Sequence, residues 1–414
     1  MPIDMPRSGA AAPGRRMILL LALSCGVGVA NIYFPQAISP LVAADLNVSP
    51  DTAATVVTAA QFGYAAGIFL LVPLGDRLMH RKLIVTLLSI AGLGSLVAGL
   101  ATTLPVLVAA SVLIGAATVV PQIIIPMTAG LVPEQRRGAV TGTLLSGLIG
   151  GILLARTFGG GLGQWLGWRA PYLVAAAVVI LLAVILAFAV PTTTPSSRER
   201  YPALIGTALR LMRTEPDLRR SCLYQALIFA GFTAAWTSLA LLITGPYHLG
   251  ASAVGLIALV GAASMFSTPI AGRLVDRHGP NPVNLVCMVG VIAAAALLTL
   301  GGLGGPAGLV GVTVGMLLLD VAMQSGQVAN QARIFALRSE VRSRLNTAYM
   351  TCAFLGGSIG SWLGVRAYSG LGWGGVCLLV AVLAVLALAR SLFTGRARAV
   401  VTPEPAPQAD AATR

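Results

Sequence analysis

Charge is scarce in this chain: 10% of its 414 residues are Asp, Glu, Lys or Arg, while 57% are hydrophobic. A soluble fold cannot bury that much apolar surface in one core, so lipid is the solvent the composition requires. Lysine is scarcer still. Lys82 is the single lysine, which excludes a G-x-x-x-x-G-K-[ST] phosphate loop and with it an ATP-driven pump within this chain. The three histidines sit in turns or at a helix end (His80, His248, His278), and the five cysteines (Cys25, Cys222, Cys287, Cys352, Cys377) show neither disulfide-framework nor metal-ligand spacing. No metal or cofactor is implied, and the cysteines read as small core residues. An enzyme would need a nucleophile, base or metal cluster, for which one buried acid and no buried histidine are poor material. Nucleic acid is also excluded as a partner, because the arginines behind the net charge of +14 stand in interhelical turns without interleaved aromatics.

What is present is apolar length. Runs of about 20 residues, enough to cross a bilayer, follow one another from Met17 to Leu392, and twelve can be counted. The cations distribute with them. Of 27 Lys and Arg, 24 fall in the termini, the linker and alternate turns; Arg169 starts the sixth span, and Arg156 and Arg366 lie within spans. Such asymmetry assigns the basic turns and both termini to the cytoplasm. A basic start followed by the apolar stretch Met17–Cys25 resembles a signal peptide. Removing it would leave eleven spans and unequal halves, so it is read as the first span.

The chain repeats itself. Leu71-Val-Pro-Leu-Gly-Asp-Arg-Leu-Met-His-Arg-Lys82 is answered by Ile270-Ala-Gly-Arg-Leu-Val-Asp-Arg-His-Gly-Pro-Asn281, with Asp76-Arg77 and Asp276-Arg277 at an offset of 200, and Gly167-Trp168 is answered by Gly372-Trp373 at an offset of 205. Two halves of like orientation follow. The domain reading is a disordered N-terminus over 1–16, a six-helix half over 17–190, a linker over 191–220, a second six-helix half over 221–394 and a disordered tail over 395–414. Residues 203–218 of the linker suit an amphipathic helix on the inner membrane surface. The glycines of spans five and eleven (Gly147, Gly150, Gly151, Gly159, Gly160; Gly356, Gly357, Gly360, Gly364) suit helices that pack tightly and slide.

A carboxylate in hydrocarbon is costly, so each acid needs an explanation. Twelve of the thirteen map to termini, turns or the linker; Asp320 alone lies mid-span, with Gln324, Gln327 and Gln331 at i+4, i+7 and i+11 on the same helix face. Comparable stripes run through span one (Asn31, with Tyr33 nearby), span four (Thr118, Gln122) and span seven (Gln225, Phe229, Phe232, Trp236). Arg156 lies about 6 Å from Asp320 in height, at ~1.5 Å per residue from the outer span ends, so an ion pair is geometrically possible. A carboxylate that alternately meets water, apolar surroundings and a guanidinium gains and loses a proton in turn. A paired Asp and Arg repeated at both inner turns suits gating through helix termini of the other half. The bland alternatives are a permanent buried pair that fixes packing, and anchoring of the basic turns alone.

Twelve spans in two halves, a central loop and a G-x-x-x-D-R-x-G type motif after spans two and eight resemble the major facilitator superfamily. The second copy fits with Gly272, Asp276, Arg277 and Gly279; the first has Val72 and Met79 where the family usually has glycine, and keeps Asp76, Arg77, Arg81 and Lys82. Asn31-Ile-Tyr-Phe-Pro-Gln36, Gln61-Phe-Gly-Tyr64 and Pro73-Leu-Gly-Asp-Arg77 look like bacterial proteins grouped with drug/proton antiporters. The resemblance implies an all-α major facilitator fold whose spans one, four, seven and ten line a central cavity. Arg156 stands where many family antiporters carry a glycine-proline motif, and Ser111 where many carry an arginine, so Arg156 is a candidate for that missing cation. The expected protein is a monomeric, multi-pass transporter of the bacterial inner membrane. It would export a small organic molecule, drug-like or a metabolite, against protons by alternating access. The alternative is a facilitator or proton symporter importing a solute such as a sugar.

Overall fold

The computed structural model of the protein describes residues 13–192, 199–337 and 341–401, so most of both terminal stretches lies outside the described residues. All regular structure there is helical. The first half contains α1 (Arg15–Ala30), α2 (Pro35–Asp45), α3 (Pro50–Ala53), α4 (Thr55–Leu70), α5 (His80–Gly99), α6 (Leu104–Ala117), α7 (Val120–Gly130), α8 (Glu134–Leu166) and α9 (Arg169–Ala189). After the linker helix α10 (Tyr201–Thr214) come α11 (Pro216–Thr244), α12 (Ala251–Gly261), α13 (Ser267–His278), α14 (Pro280–Leu298), α15 (Gly305–Phe335) and α16 (Arg342–Val401). A 3-10 turn, Val72–Asp76, closes span two, and another, Ala262–Phe266, joins α12 to α13.

Eleven described segments are long and apolar enough to cross a membrane, and the last, Arg342–Phe393, has 52 residues. At ~1.5 Å per residue it would stretch about 78 Å as one helix, more than twice a ~30 Å hydrocarbon core. Gly372, with φ 63° and ψ −158°, breaks it into two spans. Gly167, with φ 84°, makes the equivalent turn between α8 and α9. In this left-handed region a Cβ is penalised, which is why glycine stands at both turns. The expected twelve spans are thus present.

The glycine stripes allow close approach both within and between halves: a Cβ on Gly160 would meet the Ala251 carbonyl of α12 and one on Gly357 would meet Gln61 of α4, each in the other half. A Cβ on Gly147 or Gly151 would lie 2.3 or 2.2 Å from a carbonyl of α1, and one on Gly356 or Gly360 would lie 2.3 or 2.1 Å from a carbonyl of α11. Spans five and one, and eleven and seven, are therefore closely packed pairs.

The halves meet chiefly away from the basic turns. Thr157 of α8 donates to the Gly255 carbonyl of α12 at 2.8 Å, and Gln164 accepts from the Ala251 amide at 2.9 Å. Ser358 of α16 donates to the Thr58 carbonyl of α4 at 3.0 Å, and Ser369 donates to Asp51. At the basic end, by contrast, Arg136, Arg137 and Gly138 of α8 and Arg273, Asp276 and Arg277 of α13 are exposed.

Two boundaries differ from expectation. α16 continues to Val401, into the stretch expected to be disordered from 395, and α11 begins at Pro216, inside the expected linker. The linker helix buries Leu204, Ala208 and Leu211 as it packs on α11 and α16. Its apolar stripe is covered by protein rather than by a membrane surface.

Candidate functional site

Spans one and four are broken at matching places, and spans seven and ten are not. α1 stops at Ala30, and Pro35, which lacks an amide proton, opens α2 after a short turn. α6 stops at Ala117, two residues before α7, whose second residue is Pro121. Side chains bond the backbone beside each break: Asn31 Nδ2 donates to the Val27 carbonyl at 2.8 Å, and Thr118 Oγ1 donates at 2.9 Å to the Ile114 carbonyl, which also keeps its bond from the Thr118 amide. Asn31 also accepts from Ser95 of α5 at 3.4 Å. Both residues, expected as cavity lining, thus turn their polar atoms into their own half. The break in span one presents Tyr33 and Gln36 at the seam between halves instead.

At that seam lies a buried charged cluster. Arg156 of α8 is 1% exposed, and its Nε donates to Gln36 Oε1 at 2.7 Å. The guanidinium carbon stands 4.0 Å from the ring centroid of Trp236, 4.9 Å from Tyr33 and 5.9 Å from Phe232. At its edge Trp236 donates its indole N–H to Asp320 Oδ1 at 3.0 Å. Asp320, 2% exposed, therefore faces Arg156 through an indole. The two do not form the direct ion pair that their heights allow, because the tryptophan takes the carboxylate with its edge and the guanidinium with its face. Three atoms stay without a hydrogen-bond partner: Arg156 Nη2, Gln36 Nε2 and Asp320 Oδ2. Asp320 Oδ2 lies against α12 at Gly261, where a Cβ would stand 2.5 Å away.

The remaining stripe residues engage one another towards the basic end. Gln324 donates to Ser264 at 2.8 Å, and Gln225 donates to Gln327 at 3.4 Å while accepting from Tyr349 at 2.9 Å. Gln122 reaches Tyr64 at 3.5 Å. Phe229 and Phe232 stack at 5.5 Å, and Phe354 joins Phe229 at 5.0 Å and Tyr64 at 4.5 Å. An aromatic ladder thus runs between the halves from Tyr64 to Trp236. Gln36, Tyr64, Tyr349 and Phe354 contact this cluster although they lie off the helical stripes read from the sequence. Gln61 is buried at the same seam with both amide atoms unpartnered.

The two basic motifs are placed differently. Asp76 is half-buried within electrostatic reach of Arg344 and His80. Arg344, at the start of α16, also holds Glu199 of the linker at 2.9 Å. Arg77 and Lys82 are exposed and Arg81 is half-buried. In the second copy Asp276 and Arg277 are exposed, and Gly272 has open space around it. One basic residue assigned to a turn is not peripheral: Arg333 is 8% exposed and donates to Ser221, Asn330 and Asn281 at 3.2, 3.0 and 2.8 Å, tying α11 to the start of α14.

Comparison with known proteins agrees with this architecture. The family model described as Major Facilitator Superfamily matches residues 18–361. The uncharacterized transporter YgaY of Escherichia coli is 34% identical over 373 residues, covering 90% of this chain and 94% of its own. A chloramphenicol resistance protein of Streptomyces lividans is 32% identical over 281 residues, covering 66% of this chain and 69% of its own. Among solved structures, a bacterial homolog of the human lysosomal transporter Spinster, in an inward-facing and occupied conformation, superposes with a TM-score of 0.67. It is 17% identical and covers 96% of this chain and 100% of its own.

Proposed function

The chain belongs to the Major Facilitator Superfamily, and from that membership we propose that it is a proton-coupled exporter of a small organic molecule. Secondary transport by a multi-pass membrane protein, without enzymatic chemistry, comes with the family. Coupling and direction are our reading. The observation that carries it is the Asp320–Trp236–Arg156 arrangement: a carboxylate from one half and a guanidinium from the other, both buried, with an indole between them. Rocking the halves changes how close Arg156 stands to Asp320 and whether water reaches the carboxylate. Either change alters its hold on a proton, which is the requirement for coupling.

Export is favoured by the likeness to a protein named for chloramphenicol resistance. The basic turns, carrying most of the 27 cations, are assigned to the cytoplasm with both termini, in a bacterial inner membrane, and the protein works as a monomer. Asp76 near Arg344 supports a gating role for the first motif at that face.

The test uses everted vesicles and a panel of dyes, drugs and sugars, with and without an imposed proton gradient. Asp320→Asn should abolish gradient-driven movement while leaving the protein folded. Movement that still follows the gradient in that variant removes the coupling claim. The second reading, a facilitator or proton symporter for an imported solute such as a sugar, predicts substrate and protons moving in the same direction, or no response to the gradient.

A further inference from the structure

We infer that the Gln36–Arg156–Trp236 cluster binds an uncharged aromatic ligand through a hydrogen-bond acceptor such as an amide or carbonyl oxygen, and rejects lipophilic cations. This rests on reading the cluster as the transport site and names the class of molecule it accepts.

Three observations carry it. First, the aromatic cage that a lipophilic cation would need is already filled by the protein's own cation: the Arg156 guanidinium lies over Trp236, Tyr33 and Phe232 at 4.0, 4.9 and 5.9 Å. A cationic guest would have to displace it, or sit beside it at a distance where like charges repel in a medium of low dielectric. Second, the hydrogen-bonding capacity left over beside Arg156 is donating, while the cluster's unpartnered acceptor, Asp320 Oδ2, is covered by α12 at Gly261. Arg156 Nη2 and Gln36 Nε2 are without partners, and the bond from Arg156 Nε to Gln36 Oε1 at 2.7 Å holds the two side chains together. Gln36 is fully buried and Arg156 is 1% exposed. Unpartnered donors buried so deeply are costly, and an acceptor on a ligand removes that cost. Third, charge inside the site is already balanced. Asp320 lies one indole away, bonded to the Trp236 N–H at 3.0 Å, so a ligand carboxylate on Arg156 would meet a second anion across the ring. The neighbouring rings from Phe232 through Phe229 to Phe354 give the ligand's own ring a surface to stack on.

The site is packed shut in this structure, so entry requires the halves to part. The test is binding rather than transport, and it needs neither a gradient nor a known direction. Purified full-length protein in detergent would be assayed by equilibrium dialysis against three probes sharing one ring system: 2-naphthamide, 2-naphthoate and (2-naphthylmethyl)trimethylammonium. The expected order is amide above carboxylate, with the ammonium weakest. Arg156→Gln should weaken the amide about tenfold, the loss expected for one hydrogen bond from a charged donor, and should admit the ammonium by emptying the cage. Gln36→Leu, which leaves Arg156 in place, should weaken the amide without admitting the ammonium. Wild-type protein that binds the ammonium or the carboxylate as tightly as the amide, or that binds none of the three, overturns the assignment. So does an unchanged order in monodisperse Arg156→Gln protein. Gradient-driven transport that depends on Asp320 would survive any of these results, so the two readings fail separately.

Discussion

Trp236 does two jobs with one ring: its N–H edge holds Asp320 and its face holds Arg156. Trp236→Phe keeps a face and removes the donor, leaving Asp320 Oδ1 unpartnered in addition to Oδ2. The expected outcome is a displaced pH profile of transport with the protein still folded; an unmoved profile would reduce the tryptophan to packing. The Arg156→Gln and Asp320→Asn pair should be non-additive. Coupling through the ring is expected at about 0.5–3 kcal/mol, the range for residues in one network, and a thermal-denaturation cycle on purified protein measures it. Strict additivity would say that the charges do not sense each other. Asp320 stood out in the sequence because an acid in mid-span is costly and must find water or a partner. Gln36 and Gln61 did not, because an amide in a span usually just bonds a neighbouring helix. Only coordinates show that Gln36 Nε2 and both amide atoms of Gln61 go unpartnered where the halves meet.

Elements obey simpler rules, and more of them could be read in advance. Glycine marked the close pairs, since Gly356 and Gly360 let α16 lie on α11, whereas the breaks in spans one and four at Pro35 and Pro121 emerge only from the coordinates. Gly360→Val should cost about 1–3 kcal/mol from overpacking, since even its first added carbon would stand 2.1 Å from the Ala230 carbonyl. A lowered melting temperature should appear, whereas the same change at Gly374, which has open space around it, should leave it unmoved. An equal response at both positions would contradict the close packing. The linker helix was legible as amphipathic but not in its partner. An apolar stripe fits lipid and protein alike, and the choice is settled by the burial of Leu204, Ala208 and Leu211 in a helix that packs on α11 and α16.

At the scale of the whole molecule, duplication was the readable feature. Offsets of 200 and 205 between matched motifs require two halves of the same sense, and twelve spans follow. Which end is sealed is not written in the chain, because both closures are made from the same helices. Here the seal lies opposite the basic turns, through Thr157 with Gly255, Gln164 with Ala251, and Ser369 with Asp51. Beside the last pair a crevice of about 600 Å³ opens between span two and α16, where Arg366 stacks on Trp362 at 4.7 Å. If the halves rock, Asp51 and Ser369 must separate once in every cycle. Replacing both by cysteine and oxidising should therefore arrest transport, and reduction should restore it. Each single replacement should cause at most a partial loss under the same oxidant. A cross-linked protein that keeps transporting at the wild-type rate would mean that this end does not open, and that the substrate leaves by another route.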